Sequence, residues 1–243
     1  MERVADELWI GTYGQGLYVL NMMTNAVTHY GKGTGPTGLS GNDIFCLKKD
    51  RNGNVWIGNN GSGIDVFKPA SGIIHHFDKT LLTVRDKLPL NGYIRTIEED
   101  DRGNIWIGSN GTGIAVYDPF LKNFKKLDQA NSNLPSNSVS AIYVDQKGIV
   151  WIGTDGGGLS KWDNSGKFIS YSEADGLSNA VIHKILESGT GKLWVSTNKG
   201  ISSFDEENRK FKNYSYQNGL QKSTFSLGAG IKTSNGDLFF WRP

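Results

Sequence analysis

One tryptophan constrains this chain more than any other residue. It stands in Leu-Trp-Ile-Gly or a close variant at Trp9, Trp56, Trp106, Trp151 and Trp194, and Phe239 takes its place in a sixth copy. The intervals are 47, 50, 45, 43 and 45 residues. A period of about 46 residues is the size of a four-stranded propeller blade and is too long for the common two-helix repeats. No helical periodicity falls between the anchors.

Each copy reads strand by strand. The first strand carries an apolar pair three apart: Ile44 and Leu47, Ile94 and Ile97, Val139 and Ile142, Ile182 and Ile185. A turn follows, Asp50 to Gly53, Asp100 to Gly103, Asp145 to Gly148 or Ser188 to Gly191. Asp or Ser opens such a turn by accepting backbone N–H groups, and Gly supplies its positive φ. The tryptophan strand comes next. A Gly-rich loop, such as Gly61-Ser-Gly63 or Gly156-Gly-Gly158, then leads to a third strand ending in Phe67, Tyr117, Trp162 or Phe204. Short fourth strands close the copies, for example Ile74 to Phe77 and Phe124 to Leu127. Linkers carry a leucine in Gly38-Leu-Ser40, Lys87-Leu-Pro89, Asn133-Leu-Pro-Ser136 and Asp175-Gly-Leu-Ser178. That leucine is expected to plug the space between neighbouring blades.

A lone four-strand meander cannot bury both faces, whereas copies stacked face to face can. The expected fold is therefore all-β: a β-propeller of four-stranded antiparallel blades forming a single domain over residues 1–243. It has five full or nearly full repeats and a partial sixth. Copy one is expected to lack its first strand. The chain reads as an incomplete part of a larger ring; the alternative is a closed five-bladed ring, with Phe225 to Ile231 pairing with the first blade. The linker from Asp78 to Asn91, the longest, is expected to be an insertion on a functional face.

Composition agrees and excludes several classes. Glycine contributes 32 of 243 residues, roughly twice the usual share, as many tight turns require. Net charge is +2 with no basic stripe, so no nucleic-acid partner is expected. No apolar run reaches the ~18 residues of a membrane span, and the first residues do not read as a signal peptide. Cys46 is the single cysteine and reads as a small hydrophobe.

Chemistry is sparse. Gly33-Thr-Gly35-Pro-Thr-Gly38 matches a dinucleotide string but lacks the helix that string needs. His75 and His76, adjacent on one strand, point to opposite faces and cannot share a metal there. The acidic residues at turns and third-strand ends (Asp50, Asp100, Asp145, Asp118, Asp163, Asp205) repeat with the fold, which makes them poor candidates for a glycosidase pair. The expectation is no catalytic residue, no metal and no cofactor. The repeated tryptophans read as core, not as a sugar-stacking ladder.

The string Leu-Pro-Ser-Asn, an apolar strand, then Asp-x-x-Gly-x-Leu-Trp-Ile-Gly-Thr-x-x-Gly-Gly-Leu closely resembles the two-component regulator propeller repeat. Asn133 to Leu159 shows it best, and Val195-Ser196 in copy five departs from it. The resemblance implies a non-enzymatic, periplasmic sensor region of a bacterial hybrid two-component histidine kinase that responds to glycans. It also implies a homodimer formed through the parent receptor and no membrane contact by this segment.

In a propeller, the loops between second and third strands share a face with the linkers entering first strands. The candidate oligosaccharide site on that face is Tyr13, Gln15, Asn60, Tyr93, Arg95, Asn110, Asp155, Asn198 and Lys199, where amides and a few charges suit a neutral or anionic sugar. Two other readings stand beside it. One is an interaction or relay propeller without its own ligand; the other is a propeller lyase or lactonase, for which only His183 with Arg95 gives a hint.

Overall fold

A computed structural model describes residues 1–33, 35–77, 87–163, 165–220 and 224–241. It contains five four-stranded antiparallel sheets and a final two-stranded hairpin, each four-stranded sheet in simple sequence order. The chain divides into two compact units, Met1–Lys126 and Leu127–Pro243. The first unit holds the sheets beginning at Glu2–Val4, Ile44–Lys49 and Ile94–Glu99. The second holds those beginning at Val139–Val144 and Ile182–Glu187, and the hairpin of Gly230–Lys232 with Leu238–Phe240.

One expectation fails at the start of the chain. Copy one does have a first strand: Glu2–Val4 pairs with Glu7–Trp9 through a two-residue turn, Ala5-Asp6. Ala5 takes φ 52° to make that turn. So short a turn leaves room for a complete meander where the longer Asp-x-x-Gly turn of the other copies would not fit. At the other end, Gly230–Lys232 pairs with Leu238–Phe240 inside its own unit, so this segment serves as the first strand of the sixth copy. The long linker's residues 78–86 lie outside the described residues.

The tryptophan strand is the centre of each sheet. Trp9, Trp56, Trp106 and Trp151 are buried to 4% exposure or less, and burial of an aromatic of this size contributes about 2–3 kcal/mol by area. Each indole N–H also needs an acceptor once buried. The turn aspartate supplies it: Trp56 to Asp50 at 2.9 Å, Trp106 to Asp100 at 2.9 Å and Trp151 to Asp145 at 2.8 Å. The same carboxylates accept the turn's backbone N–H groups. One side chain thus closes the turn and seats the core. In the first sheet Glu7 takes the role for Trp9. In the fifth, where Ser188 replaces Asp, Trp194 is only half-buried and stacks on Tyr214. Phe239, in the tryptophan's place, is 55% exposed.

The glycine two residues after the tryptophan has a packing reason. A Cβ on Gly11 would lie 2.5 Å from Ile44 Cγ2, and one on Gly153 2.5 Å from Ile182 Cγ2. The first strand of the following sheet presses directly on this position. The linker leucines are fully buried: Leu39 joins the cluster of the first and second sheets, Leu88 that of the second and third, and Leu177 that of the fourth and fifth. They are the plugs expected from their spacing.

After two of these plugs, Leu39 and Leu177, the linker serine is tied to the outer half of the sheet it enters. In the second sheet, Asp65 is fully buried and accepts from Ser40 N at 3.0 Å, Ser40 Oγ at 2.5 Å and Asn59 Nδ2 at 3.0 Å. His76 Nδ1 lies 2.6 Å from the same carboxylate. In the fifth sheet the four positions are Ser178, Thr197, Ser202 and Asn213, joined by hydroxyl and amide bonds of 2.7–3.3 Å. Several exposed turns are held by other carboxylates. Hydrogen bonds hold Asp163, Asp175 and Asp205 below the usual carboxylate range, chiefly the Ser165 hydroxyl, the Ser172 backbone N–H and the Asn208 backbone N–H respectively.

Candidate functional site

The loops after the second strands and the linkers before the first strands do meet, and backbone amides make the junction. Gly61 N and Gly63 N both donate to Gly92 O, and Gly156 N and Gly158 N both donate to Ala180 O. In the first sheet Gly16 N donates to Asn42 O. The Gly-x-Gly loop is thus a clasp on the next linker's carbonyl. Positive φ at Gly156 and Gly158 turns both N–H groups the same way. With these donors spent on the fold, the glycine-rich loop is not a phosphate cradle.

Beside the clasp, every complete sheet except the first carries a β-bulge in its first strand. The register skips Phe45, Arg95, Ser140 and His183. A bulge leaves its extra residue unpaired and re-aims the side chain, and bulges are over-represented next to functional sites. Arg95 and His183 stood out in the sequence; Phe45 and Ser140 did not. The signal that would have found all four is their shared place, one residue after the first apolar residue of the strand.

In the first unit, Arg95 lies over the Phe45 ring, 4.2 Å from its centroid, and donates to Asn60 Oδ1 at 3.2 Å. A cation over an aromatic face is attracted by the ring quadrupole. Asn60 forms an isolated β-bridge with Tyr93, whose ring lies beside Gly61 and is 46% exposed. Asn110 N donates to Tyr93 O at 2.9 Å, and Asn91 Nδ2 donates to Asn110 O at 2.7 Å. The structure therefore brings Asn60, Tyr93, Arg95 and Asn110 into one cluster with Phe45. It offers a guanidinium, two amides, a phenol and an exposed ring face. Tyr13 and Gln15 lie in the first sheet's loop; Tyr13 is 77% exposed, and Gln15 contributes its carbonyl to His29 Nε2 at 2.6 Å.

In the second unit, His183 Nε2 pairs with Asn198 Oδ1 at 2.7 Å. Lys199 follows on the same loop, its backbone N–H held by Thr197 Oγ1. Asp155 is exposed and is placed by its backbone, donating to Ser138 O and accepting from Ser136 Oγ. Ser140 is turned inward, its hydroxyl donating to Gly153 O and Ile182 O. Asn59, Ser109 and Thr154, which end the tryptophan strands, are buried and cap their own loops or the Asp65 network. Among the described residues no group of three His, Cys, Asp or Glu is placed to hold a metal ion. No described helix is long and apolar enough to cross a membrane.

Comparison with known proteins follows the repeat. No curated protein matches the chain. Among solved structures it is similar to the extracellular domain of a B. thetaiotaomicron protein assigned as a hybrid two component system, BT3049. The TM-score is 0.84 at 27% identity, over 99% of this chain and 31% of that one. A second such domain, BT4673 from the same organism, matches with TM-score 0.63 at 22% identity over 97% of this chain and 39% of that one. Virginiamycin B lyase from Staphylococcus aureus matches with TM-score 0.72 at 17% identity, over 99% of this chain and 83% of that one; at that identity the likeness shows the fold alone. The chain thus spans about a third of the length of the two extracellular domains. The model of the two component regulator propeller matches residues 38–61, 87–111 and 133–156. Each match runs from a linker leucine through the tryptophan strand into the Gly-rich loop, and these three segments are two-component regulator propeller repeats.

Proposed function

We propose that this chain is an extracytoplasmic sensor segment of a two-component signalling receptor, and that it takes an oligosaccharide at the loop end of its sheets. The observation that carries the sensor role is the match of three separate copies to the regulator propeller repeat, supported by the 27% identical extracellular domain. The ligand reading rests on the cluster of Asn60, Tyr93, Arg95 and Phe45. There an aromatic face stands beside a guanidinium and amides, a mixture that suits sugar hydroxyls and ring faces. In this reading the segment sits in the periplasm, transmits occupancy and performs no chemistry; phosphoryl transfer belongs to a kinase elsewhere in the parent receptor, through which the segment dimerises.

A thermal-shift screen against plant, host and microbial oligosaccharides tests the proposal. A ligand that binds only the native state raises the melting temperature in a saturable way. One glycan class giving such a shift, lost in Arg95→Ala and Tyr93→Ala, is the expected result. A saturable shift unchanged in both variants would remove the ligand from this face. No shift with any glycan would favour a relay propeller without a ligand of its own.

A further inference from the structure

At the opposite end of the strands from the loop cluster, the seam between the second and third sheets is not filled. A cleft of about 380 Å³ opens there, inside the first unit, beside the hairpin turns at Asp50 and Asp100. That volume falls in the ~300–1,000 Å³ range of small-molecule sites. Its wall is aromatic, made by Trp56, Phe77 and Tyr117. Trp56 and Phe77 are stacked, 5.9 Å apart and 2° from parallel, and Tyr117 lies 5.5 Å from Trp56 and 5.4 Å from Phe77.

The mouth keeps a positive balance, because Lys68, Lys122 and Arg51 outweigh Asp50 and Glu99. Asp50 and Glu99 both line the cleft. Asp50 is occupied by two backbone N–H groups, Asn54 Nδ2 and the Trp56 indole. Glu99 is held by Arg51 through Nε at 2.7 Å and the backbone N–H at 2.8 Å. Lys68 and Lys122 also line the cleft, and among the described residues neither ammonium group has a partner.

The seam between the fourth and fifth sheets shows why this one is open. There Lys161 stands across from Trp151, as Val66 stands across from Trp56. Its ammonium lies 5.9 Å from the centre of the Trp151 ring and pairs with Glu206. Glu206 follows Asp205 at the end of its third strand, as Pro119 follows Asp118. The two positions that fill one seam with an ion pair are Val66 and Pro119 in the other, and both line the cleft. Neither can reach across it or pair.

We propose that this cleft binds a small ring-shaped carboxylate, its ring against the wall of Trp56, Phe77 and Tyr117 and its charge at Lys68 and Lys122. An aromatic wall with a few placed polar groups orients a flat ligand, and lysine serves as a point charge for an anion. The site is independent of the loop cluster and of the oligosaccharide reading. A sugar acid and an aromatic acid share this chemistry, so the titration carries both.

The test is calorimetric titration of the whole chain with glucuronate and with benzoate, using glucose and phenol as their uncharged counterparts. The expected result is saturable binding of at least one carboxylate, with its neutral counterpart at least tenfold weaker; whichever binds identifies the source. Lys68→Gln with Lys122→Gln lowers that affinity at least tenfold. Val66→Lys with Pro119→Glu, which rebuilds the ion pair of the other seam, abolishes it, while Tyr93→Ala leaves it unchanged. The proposal is overturned if neither carboxylate binds, if the neutral compounds bind equally well, if the double lysine variant keeps full affinity, or if Tyr93→Ala removes binding. Should the rebuilt pair fail to fold by circular dichroism, the lysine variant decides alone.

Discussion

The second and fifth sheets tie their entering linkers down through the same four positions with different chemistry. In the second, Ser40, Asn59 and His76 converge on the buried carboxylate of Asp65. In the fifth, Ser178 and Asn213 meet at the hydroxyl of Ser202, and Thr197 joins through the Ser178 hydroxyl. Both central groups are fully buried, and both networks bring the linker against the third and fourth strands. The geometry therefore belongs to the repeat, and the charge belongs to the individual sheet. A charged centre makes stronger bonds than a neutral one and is costlier to break.

Breaking the charged centre gives the largest effect. Asp65→Ala leaves the donors of Ser40, Asn59 and His76 without their shared acceptor, and it should cost about 3 kcal/mol in urea denaturation of the chain. A loss no larger than that of Ser202→Ala would remove the distinction drawn here. Next comes the glycine after the tryptophan, where the fifth sheet already carries a buried Ser196. Gly153→Ser forces an atom to within 2.5 Å of Ile182 Cγ2 and should cost about 2 kcal/mol, as overpacking does. Tolerance there would show that the neighbouring strand yields readily.

Smaller effects sharpen the comparison. Ser202→Ala removes neutral hydrogen bonds and should cost about 1 kcal/mol. Asp65→Ser combined with His76→Asn installs the fifth sheet's chemistry in the second. Its cost should be well below that of Asp65→Ala alone, near 1 kcal/mol, and a sum of the two single losses would mean the positions do not act as a network. The smallest effect is acidic. Asp163, Asp175 and Asp205 have lowered folded-state pKa values. Their contribution to stability is therefore present above the unfolded carboxylate value of about 4 and is lost as pH falls through the folded values below it. The melting temperature should fall in that window, and Asp175→Asn should flatten the fall slightly.

Much of this was legible before the structure, because a repeat tests each reading several times over. Tryptophan spacing, the Asp-x-x-Gly turns and the linker leucines each had a local cause that sequence displays. The indole-to-aspartate bond was also visible, as an Asp six residues before Trp56, Trp106 and Trp151, but that spacing carries meaning only once the turn's path is known. The first strand at Glu2–Val4 was missed because its turn is two residues long and lacks the repeat's glycine. The candidate site was legible at Arg95, Asn60 and Tyr93, which depart from the repeat. It was not legible at Phe45, whose role depends on a change of register. The cleft over Trp56 was hidden for a similar reason: Val66 and Pro119 are ordinary residues, and only Lys161 with Glu206 at the matching positions gives their smallness a meaning.

The recurrent bulge has a consequence for how such a protein can diversify. Residues paired across a sheet are answerable to their partners, so a change in one calls for a change in another. Phe45, Arg95, Ser140 and His183 sit at the one step of each first strand that has no cross-strand partner. Aromatic, cationic, hydroxyl and imidazole groups already occupy that step in successive copies. An exchange there leaves the strand count and register as they are, although Phe45 and Arg95 answer to each other and Ser140 answers to Ile182 O. The fold thus provides a set of positions free of the pairing register, and specificity can drift there without passing through an unfolded intermediate sequence.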